Sequence, residues 1–405
     1  MDKKMVPEVR FKGFTDDWEQ LPLSKISNSF SYGLNVSSKK YDGKNKYIRI
    51  TDIDDNSHKL VEKNLTSPNT NLEDISDYQL KENDLLFART GASVGKSYLY
   101  DNADGKAFFA GFLIRMEING EFDKNFVFQN TLTDKYQQFI KITSQRSGQP
   151  GINAKEYASF KIIIPKSFNE QRLIGKLYFH LDNLITLQQS QIDYFLKLRK
   201  GLIQRIFPSN KASNPKIRYT DFNNNWEQRK LKEVTKEISN KSSEGELLSV
   251  TINDGIVKNS SLERKNNSSK NKSKYKKVEI GDIAYNSMRM WQGASGVSKY
   301  SGIVSPAYTV FKVKKNVLNN IFLGYSIKTP EMTWKFRINS QGLTSDTWNL
   351  KYPLFSEINI QIPSLKEQNY LVNLLESIDK VICSQTKHLK TLKLLKKYFL
   401  QKLFM

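Results

Sequence analysis

The sequence predicts an α+β protein built on an internal pseudo-twofold repeat: two mixed α/β units, each running into a helix of about 38 residues, roughly 57 Å long. Three observations predict it. The first is a heptad seam within residues 169–207, where Ile174, Leu181, Gln188, Phe195 and Leu202 alternate with Leu177, Leu184, Gln191 and Leu198. Spacings of three and four mark a helix packed lengthwise on another helix. The second is the return of that seam from Leu371 onward, with Leu371, Ile378, Gln385, Leu392 and Phe399 alternating with Leu374, Val381, His388 and Leu395. The polar interruption falls at the same place in both copies. The third is a duplicated opening, VPEVRFKGFTDDWEQ at 6–20 and NPKIRYTDFNNNWEQ at 214–228. Pro7, Arg10, Phe11, Phe14, Trp18, Glu19 and Gln20 match Pro215, Arg218, Tyr219, Phe222, Trp226, Glu227 and Gln228. The aromatic trio in each copy is expected to anchor the opening segment against its own unit.

Behind each opening the elements come in the same order. Residues 46–54 (KYIRITDID) alternate like a half-buried strand, and 247–254 (LLSVTIND) are their counterpart. Residues 83–100 and 281–300 each read as a strand, a Gly/Ser turn and a second strand. A polar loop, SGQPGIN at 147–153, stands where the second unit has NSQGLTSD at 339–346. Each unit then closes on a β-rich run, FKIIIP or INIQIP. A proline and a Glu-Gln pair introduce each long helix: Pro165 with Glu170 and Gln171, Pro363 with Glu367 and Gln368. The polar stretch 208–216 after the first helix reads as a linker. Residues 258–277, poor in apolar side chains and dense in lysine, read as a basic loop.

Composition narrows the function classes. The chain has 405 residues, enough for two to four domains, with 38% hydrophobic residues and a mean hydropathy of −0.56. No run approaches the roughly 18 apolar residues of a membrane helix, and the N-terminal MDKKMVPEVRF lacks a signal-peptide core. The expected address is cytoplasmic, with no membrane partner. Cys383 is the only cysteine, and His58, His180 and His388 are widely separated, so no metal site is expected. The net charge of +22 and pI near 9.6 point to a polyanion. Nucleic acid is favoured over membrane because the basic residues are not gathered on one amphipathic helix with a bulky apolar face.

One string imitates a catalytic motif. Gly91-Ala-Ser-Val-Gly95-Lys96-Ser97 resembles a phosphate-binding loop, but that loop needs four residues between its glycines and must open a helix. Here there are three, and Ser97 to Tyr100 reads as a strand. The equivalent Gly293-Ala-Ser-Gly296 also lacks the Gly-Lys-Ser ending. No methyl-transfer motif, dinucleotide fingerprint or nuclease cluster is present, so catalytic residues are expected to be none.

Taken together, the duplicated opening, the RTGASVGK turn at 89–96 and the IIIPKSFNEQ and IQIPSLKEQ segments leading into the helices resemble the specificity subunits of type I restriction-modification systems. The likeness covers essentially the whole chain, in order and twice. It implies two target recognition domains (1–166 and 217–364), each reading half of a bipartite double-stranded DNA sequence. It also implies two conserved-region helices (167–207 and 365–405) held as an antiparallel coiled coil, with 208–216 as linker. Two modification subunits and two restriction subunits are the implied partners. The cofactors S-adenosylmethionine, ATP and Mg would sit on those partners and none on this chain. A non-specific architectural protein is the alternative reading.

Base contacts are expected from turns between strands: Arg89, Thr90, Ser93, Lys96, Arg146 and Gln149 in the first unit, and Arg289, Trp291, Gln292, Ser295, Lys299 and Gln341 in the second. Arg and Gln suit guanine and adenine edges, whereas Lys96 and Lys299 suit phosphates. The basic residues of the long helices, including Lys197, Arg199, Lys200, Lys387, Lys390, Lys393, Lys396 and Lys397, are expected to help dock the modification subunits. An antiparallel register centred near residue 189 or 190 would oppose Leu181 with Leu395, Leu184 with Leu392, Phe195 with Val381 and Leu198 with Ile378. It would gather Gln188 with His388 and Gln191 with Gln385 in a polar centre. Ile192 and Leu389, beside the polar positions, are the alternative seam residues.

Overall fold

The computed structural model describes residues 6–209, 212–263, 268–269 and 271–404. Parts of two stretches singled out above, residues 210–211 of the linker and 264–267 and 270 of the basic loop, lie outside the described residues. Two compact units emerge: residues up to Gln191 together with those from Gln385, and Ile192–Ser384.

In the first unit, β1 (Glu19–Pro22) pairs antiparallel with β6 (Lys161–Ile164), the strand that feeds the long helix. Between them lie β2 (Ser27–Tyr32), β3 (Asp84–Ala88), β4 (Ser97–Leu99) and β5 (Leu113–Ile118). They form an antiparallel sheet of order β2-β5-β3-β4. Three helices follow β5: α1 (Lys124–Asn130), α2 (Asp134–Thr143) and α3 (Ala154–Ser159). Each starts on a side-chain cap, Asp123, Thr133 or Asn153, that accepts an orphan amide of the first turn. The core collects Trp18, Phe87, Phe126, Tyr136 and Tyr157 with Ile174 and Tyr178 of α4 (Phe168–Ile206) and Leu403 and Phe404 at the chain end.

The second unit repeats the plan. Its β7 (Glu227–Lys230) pairs with β12 (Asn359–Ile362). A four-stranded antiparallel sheet has the order β8 (Thr235–Ile238), β11 (Tyr308–Val313), β9 (Ile283–Asn286), β10 (Ser295–Val297). Helices α5 (Asn320–Ser326), α6 (Pro330–Asn339), α7 (Tyr352–Ser356) and α8 (Leu365–Leu403) complete it. Trp226, Tyr285, Phe311, Phe336 and Phe355 fill the core with Ile206 and Phe207 from the end of the first helix and Leu371 and Leu375 from α8. Trp18 meets Phe126 edge-on at 5.8 Å, and Trp226 meets Phe322 at 5.7 Å. The aromatic openings are therefore structural anchors.

Two expectations need correction. The strand expected over 46–54 stops at Ile48, because Asp52 accepts the Arg49 backbone N–H and its guanidinium at 2.9 Å and turns the chain into one 3₁₀ turn at Ile50–Asp52. The coiled-coil seam is the second. In both helices the row containing Leu181, Gln188, Phe195, Ile378, Gln385 and Leu392 is buried or half-buried as expected, but the alternating row is shifted by one residue. Tyr178, Ile185, Ile192 and Arg199 take the places expected for Leu177, Leu184, Gln191 and Leu198. On α8, Leu375, Ile382, Leu389 and Lys396 replace Leu374, Val381, His388 and Leu395. Leu184 is 51% exposed, and Leu198, Val381, Leu395, Gln191 and His388 are also exposed, while Leu177 and Leu374 are half-buried. The physical reason is the α/β unit itself, whose core takes Ile174 and Tyr178 in one case and Leu371 and Leu375 in the other. That docking rotates each helix toward the neighbouring row. Gln188 donates to the Gln385 carbonyl at 3.3 Å and to its side-chain oxygen, in place of His388. Since Asp182 pairs with Lys396 while Gln188 pairs with Gln385, the segments run antiparallel.

Asp84 begins β3 and its equivalent Asp282 immediately precedes β9, and each accepts a turn amide, from Lys81 at 2.8 Å and Glu279 at 2.9 Å. Burial pushes Asp84 up to about 6, despite Arg115 at 3.8 Å. A carboxyl whose folded value is raised holds its proton longer in the folded state, so stability falls as pH rises from about 4 to about 6. Asp84→Asn keeps an acceptor for the Lys81 amide without the buried charge. Its unfolding free energy is expected to exceed the parent's at pH 8 by up to about 3 kcal/mol, with the gap closing below pH 4. Urea unfolding at the two pH values checks this, and a variant less stable than the parent at pH 8 contradicts it.

Candidate nucleic-acid interface

In the first unit the turn between β3 and β4 is built on Gly91 and Gly95, with φ of 77° and 87°, backbone that side chains other than glycine rarely adopt. One 3₁₀ turn, Gly91–Ser93, leads into a strand rather than a helix, so the phosphate-loop geometry does not form. The polar loop at 147–151 lies directly on this turn: Gly91 N–H donates to the Pro150 carbonyl at 3.0 Å and Ile152 N–H to the Arg89 carbonyl at 2.9 Å. A methyl on Gly91 would stand 3.0 Å from the Gln149 amide nitrogen. Arg89, Thr90, Ser93 and Gln149 thus share one surface. The Arg89 guanidinium lies 4.9 Å from the Tyr32 ring centre, and its backbone N–H bonds the carbonyl of exposed Phe112. Arg146, from the same loop, is exposed but held by Glu156 at 2.5 Å and the Thr143 carbonyl at 2.8 Å. Lys96 is a correction. Its ammonium donates to the Ile53 carbonyl at 2.9 Å, pairs with Asp55, and is largely buried. It fastens residues 50–55 to the sheet rather than facing a phosphate.

The second unit brings the equivalent segments together with different side chains. Gln341 and Asn349 exchange backbone bonds of 3.0 and 2.7 Å, and Leu350 N–H donates to the Ser287 carbonyl at 2.9 Å, so the 341–349 hairpin sits beside the 287–294 turn. Trp291 meets Trp348 edge-on at 5.2 Å, and Arg337 lies 5.3 Å from the Trp348 ring centre. Arg289 is half-buried 3.8 Å from Asp346, and Gln292 and Gln341 are exposed. Gly342, where an added methyl would come 2.6 Å from the Thr347 carbonyl oxygen, lets the hairpin fold tightly and leaves Leu343 fully exposed at its tip. Two residues are corrected here. Ser295 is fully buried in β10 with its hydroxyl on the Gly293 carbonyl at 3.3 Å, and Lys299 follows the far end of that strand. Neither joins the turn.

Tyr32, Phe112, Arg337, Leu343 and Trp348 belong to these surfaces and were missed by sequence reasoning. Leu343 within the polar loop at 339–346, and Arg337 and Trp348 within two residues of it, offered a signal; Tyr32 and Phe112 become neighbours of their turn only through sheet pairing. Both surfaces offer the same chemistry in different arrangements, with guanidinium and carboxamide groups that can form paired hydrogen bonds to base edges beside aromatic rings. No group of three His, Cys, Asp or Glu residues able to hold a metal occurs among the described residues.

Comparison with known proteins places this arrangement. The family described as Type I restriction modification DNA specificity domain matches the chain twice, at 15–194 and 223–394. The type I restriction enzyme MjaVIII specificity subunit of Methanocaldococcus jannaschii is 25% identical over 158 residues, 38% of this chain and 36% of that protein. The putative type I restriction enzyme MjaX specificity subunit of the same organism is 24% identical over 196 residues, 47% of this chain and 46% of that protein. The chain therefore spans less than half the length of these curated relatives. The S subunit of a type I restriction-modification system from M. genitalium has the same fold, with a TM-score of 0.68 at 16% identity over 99% of both chains. A chain from a structure on complex assembly and conformational transition of the type I system gives 0.51 at 15% identity, covering 95% of this chain and 97% of that one. Matched over both of its repeats, this chain belongs to the family of type I restriction-modification DNA specificity domains.

Proposed function

We propose that this chain is the sequence-specific DNA-binding subunit of a type I restriction-modification complex, in which each unit reads one half of a bipartite target. The observation that carries the reading is the pair of equivalent turn-and-loop surfaces, alike in backbone and different in side chains, on a chain of net charge +22. A duplicated scaffold with divergent reading residues suits two different half-sites. The chain itself supplies recognition rather than catalysis. Two modification subunits would bring S-adenosylmethionine to the adenines, and two restriction subunits would bring ATP and Mg. A cytoplasmic setting fits this role, and among the described residues no helix is long and apolar enough to cross a membrane.

The test is to mix the chain with its modification subunit and S-adenosylmethionine and map N6-methyladenine across a random-sequence DNA library at moderate salt. One bipartite motif with a fixed spacer is expected. Marks spread without sequence preference would overturn the reading in favour of an architectural protein.

The exposed side of the helices supports partner docking. Leu173, Leu184, Leu187, Tyr194 and Leu198, at successive spacings of eleven, three, seven and four, form a second, exposed stripe on α4, and Tyr370, Val381, Leu395 and Tyr398, at spacings of eleven, fourteen and three, form one on α8. A helix with two apolar stripes fits a bundle of more than two helices. Leu184→Glu combined with Leu187→Glu leaves the observed core untouched and is expected to abolish co-purification with the modification subunit. Undiminished co-purification contradicts this docking face.

A further inference from the structure

Each unit holds a polar trio at equivalent positions. In the first, Asp182 of α4 accepts from Lys396 of α8 at 2.6 Å and from Gln129 of α1 at 2.9 Å. In the second, Asp379 of α8 accepts from Arg199 of α4 at 2.5 Å and from Tyr325 of α5 at 2.7 Å. Asp182 and Asp379 correspond in the helix repeat, as do Arg199 and Lys396, and Gln129 and Tyr325 are each the sixth residue of their helix. The carboxylate and the cation have thus exchanged helices between the two trios, as a twofold repeat demands. What recurs is a carboxylate on one long helix, a cation on the other, and a donor from the recognition unit.

An exposed ion pair alone would carry little meaning. These carboxylates are flanked by half-buried seam residues and take a third partner that is neither long helix. Gln129 and Tyr325 differ in size and chemistry yet deliver one donor to the same acceptor. The helices that carry them, α1 and α5, lead through α2 and α6 into the loops at 147–151 and 341–349 that complete the reading surfaces. Each trio therefore joins the long helices to the helical path that ends at its own unit's candidate surface.

We propose that these trios are positioning residues for target geometry: they fix how each reading surface is held on its helix segments, and so determine which spacer lengths between half-sites are accepted. This rests on the function proposed above and adds to it a spacer determinant remote from the bases. Local burial would explain one trio; recurrence with exchanged helices and a substituted donor points to a preserved geometric role.

The experiment compares methylation of targets with the preferred spacer and with spacers one base pair shorter or longer, using the chain assembled with its modification subunit. Asp379→Asn and Tyr325→Phe are expected to reduce the preference for the favoured spacer by on the order of tenfold, in the range of coupling between sites, with half-site bases unchanged. Asp379→Glu is expected to restore most of it. Tyr325→Phe removes only a hydroxyl and supplies the reading should Asp379→Asn fail to fold. A Tyr325→Phe protein that assembles normally and keeps the parent's spacer preference overturns the proposal. Absence of any bipartite mark with the parent chain would instead sink the proposed function, and the inference with it.

Discussion

Glu367→Ala is expected to lower the unfolding free energy by about 3–5 kcal/mol, the cost of breaking a buried ion pair by removing one partner. The Glu367 carboxylate is 1% exposed and accepts from the Arg218 guanidinium through two bonds of 2.7 Å and from the Trp226 indole N–H at 3.2 Å. Those donors belong to the duplicated opening, and Glu367 sits in the first turn of α8, where a negative charge is also favoured by the helix dipole. One side chain thus ties the start of the unit to the helix at its end. The neighbouring Gln368 completes the joint, donating to the Pro363 and Val317 carbonyls at 2.9 Å and accepting from Asn319 N–H at 2.8 Å. In the first unit Arg10 and Glu170 form the same fork at 2.6 and 2.8 Å, but the buried Trp18 indole N–H has no acceptor among the described residues. Glu170→Ala should therefore cost less than Glu367→Ala. Urea unfolding of the two variants measures both. The ordering is wrong if Glu170→Ala proves the more damaging, and the argument fails if Glu367→Ala loses under 1 kcal/mol. A double replacement, Arg218→Met with Glu367→Leu, should recover much of the loss, since it leaves no unpaired buried charge.

That joint shows what the sequence disclosed and what it concealed. Both copies display the arginine of the opening and the glutamate of the helix start, separated by 160 and 149 residues. Their recurrence marked them as important, but only the pairing of β1 with β6, and of β7 with β12, brings them together. The strand-turn-strand units and the long helices were legible because they depend on local spacing and punctuation. The seam was legible only to within one residue. Two apolar rows lie side by side on each helix, and the choice between Leu184 and Ile185 is made by the recognition unit docked nearby. At the candidate surfaces, the repeat singled out turns and loops that the fold brings together in both units. It did not separate side chains at the tip from those at the strand ends. Lys96 turns back onto the Ile53 carbonyl, and Ser295 lies within a strand buried on both faces. Composition cannot distinguish a lysine that meets a phosphate from one that satisfies a loop carbonyl.

Alanine at Arg289 or Gln292 is expected to relax recognition of one half-site and leave the other intact, while alanine at Arg89 or Gln149 does the reverse. A paired hydrogen bond from arginine or glutamine to a base edge discriminates by about 1–3 kcal/mol, roughly 5- to 150-fold. The two surfaces are confined to their own units: Arg89 and Gln149 are joined through the Gly91 and Ile152 amides, and Arg289 and Gln292 flank the turn on which the 341–349 hairpin rests. Each substitution should thus change the base preference of a single segment in the methylated motif, with the spacer unchanged. Lys96→Met provides the contrast. Its ammonium serves the fold, so that variant should lose stability while keeping the parent's base preference in both halves. Mapping methylated adenines for the five variants separates these outcomes. Equal relaxation of both half-sites by Arg289→Ala would mean that the second unit is not an independent reader. A base preference altered by Lys96→Met would return that lysine to the interface, against the carbonyl contacts that hold it.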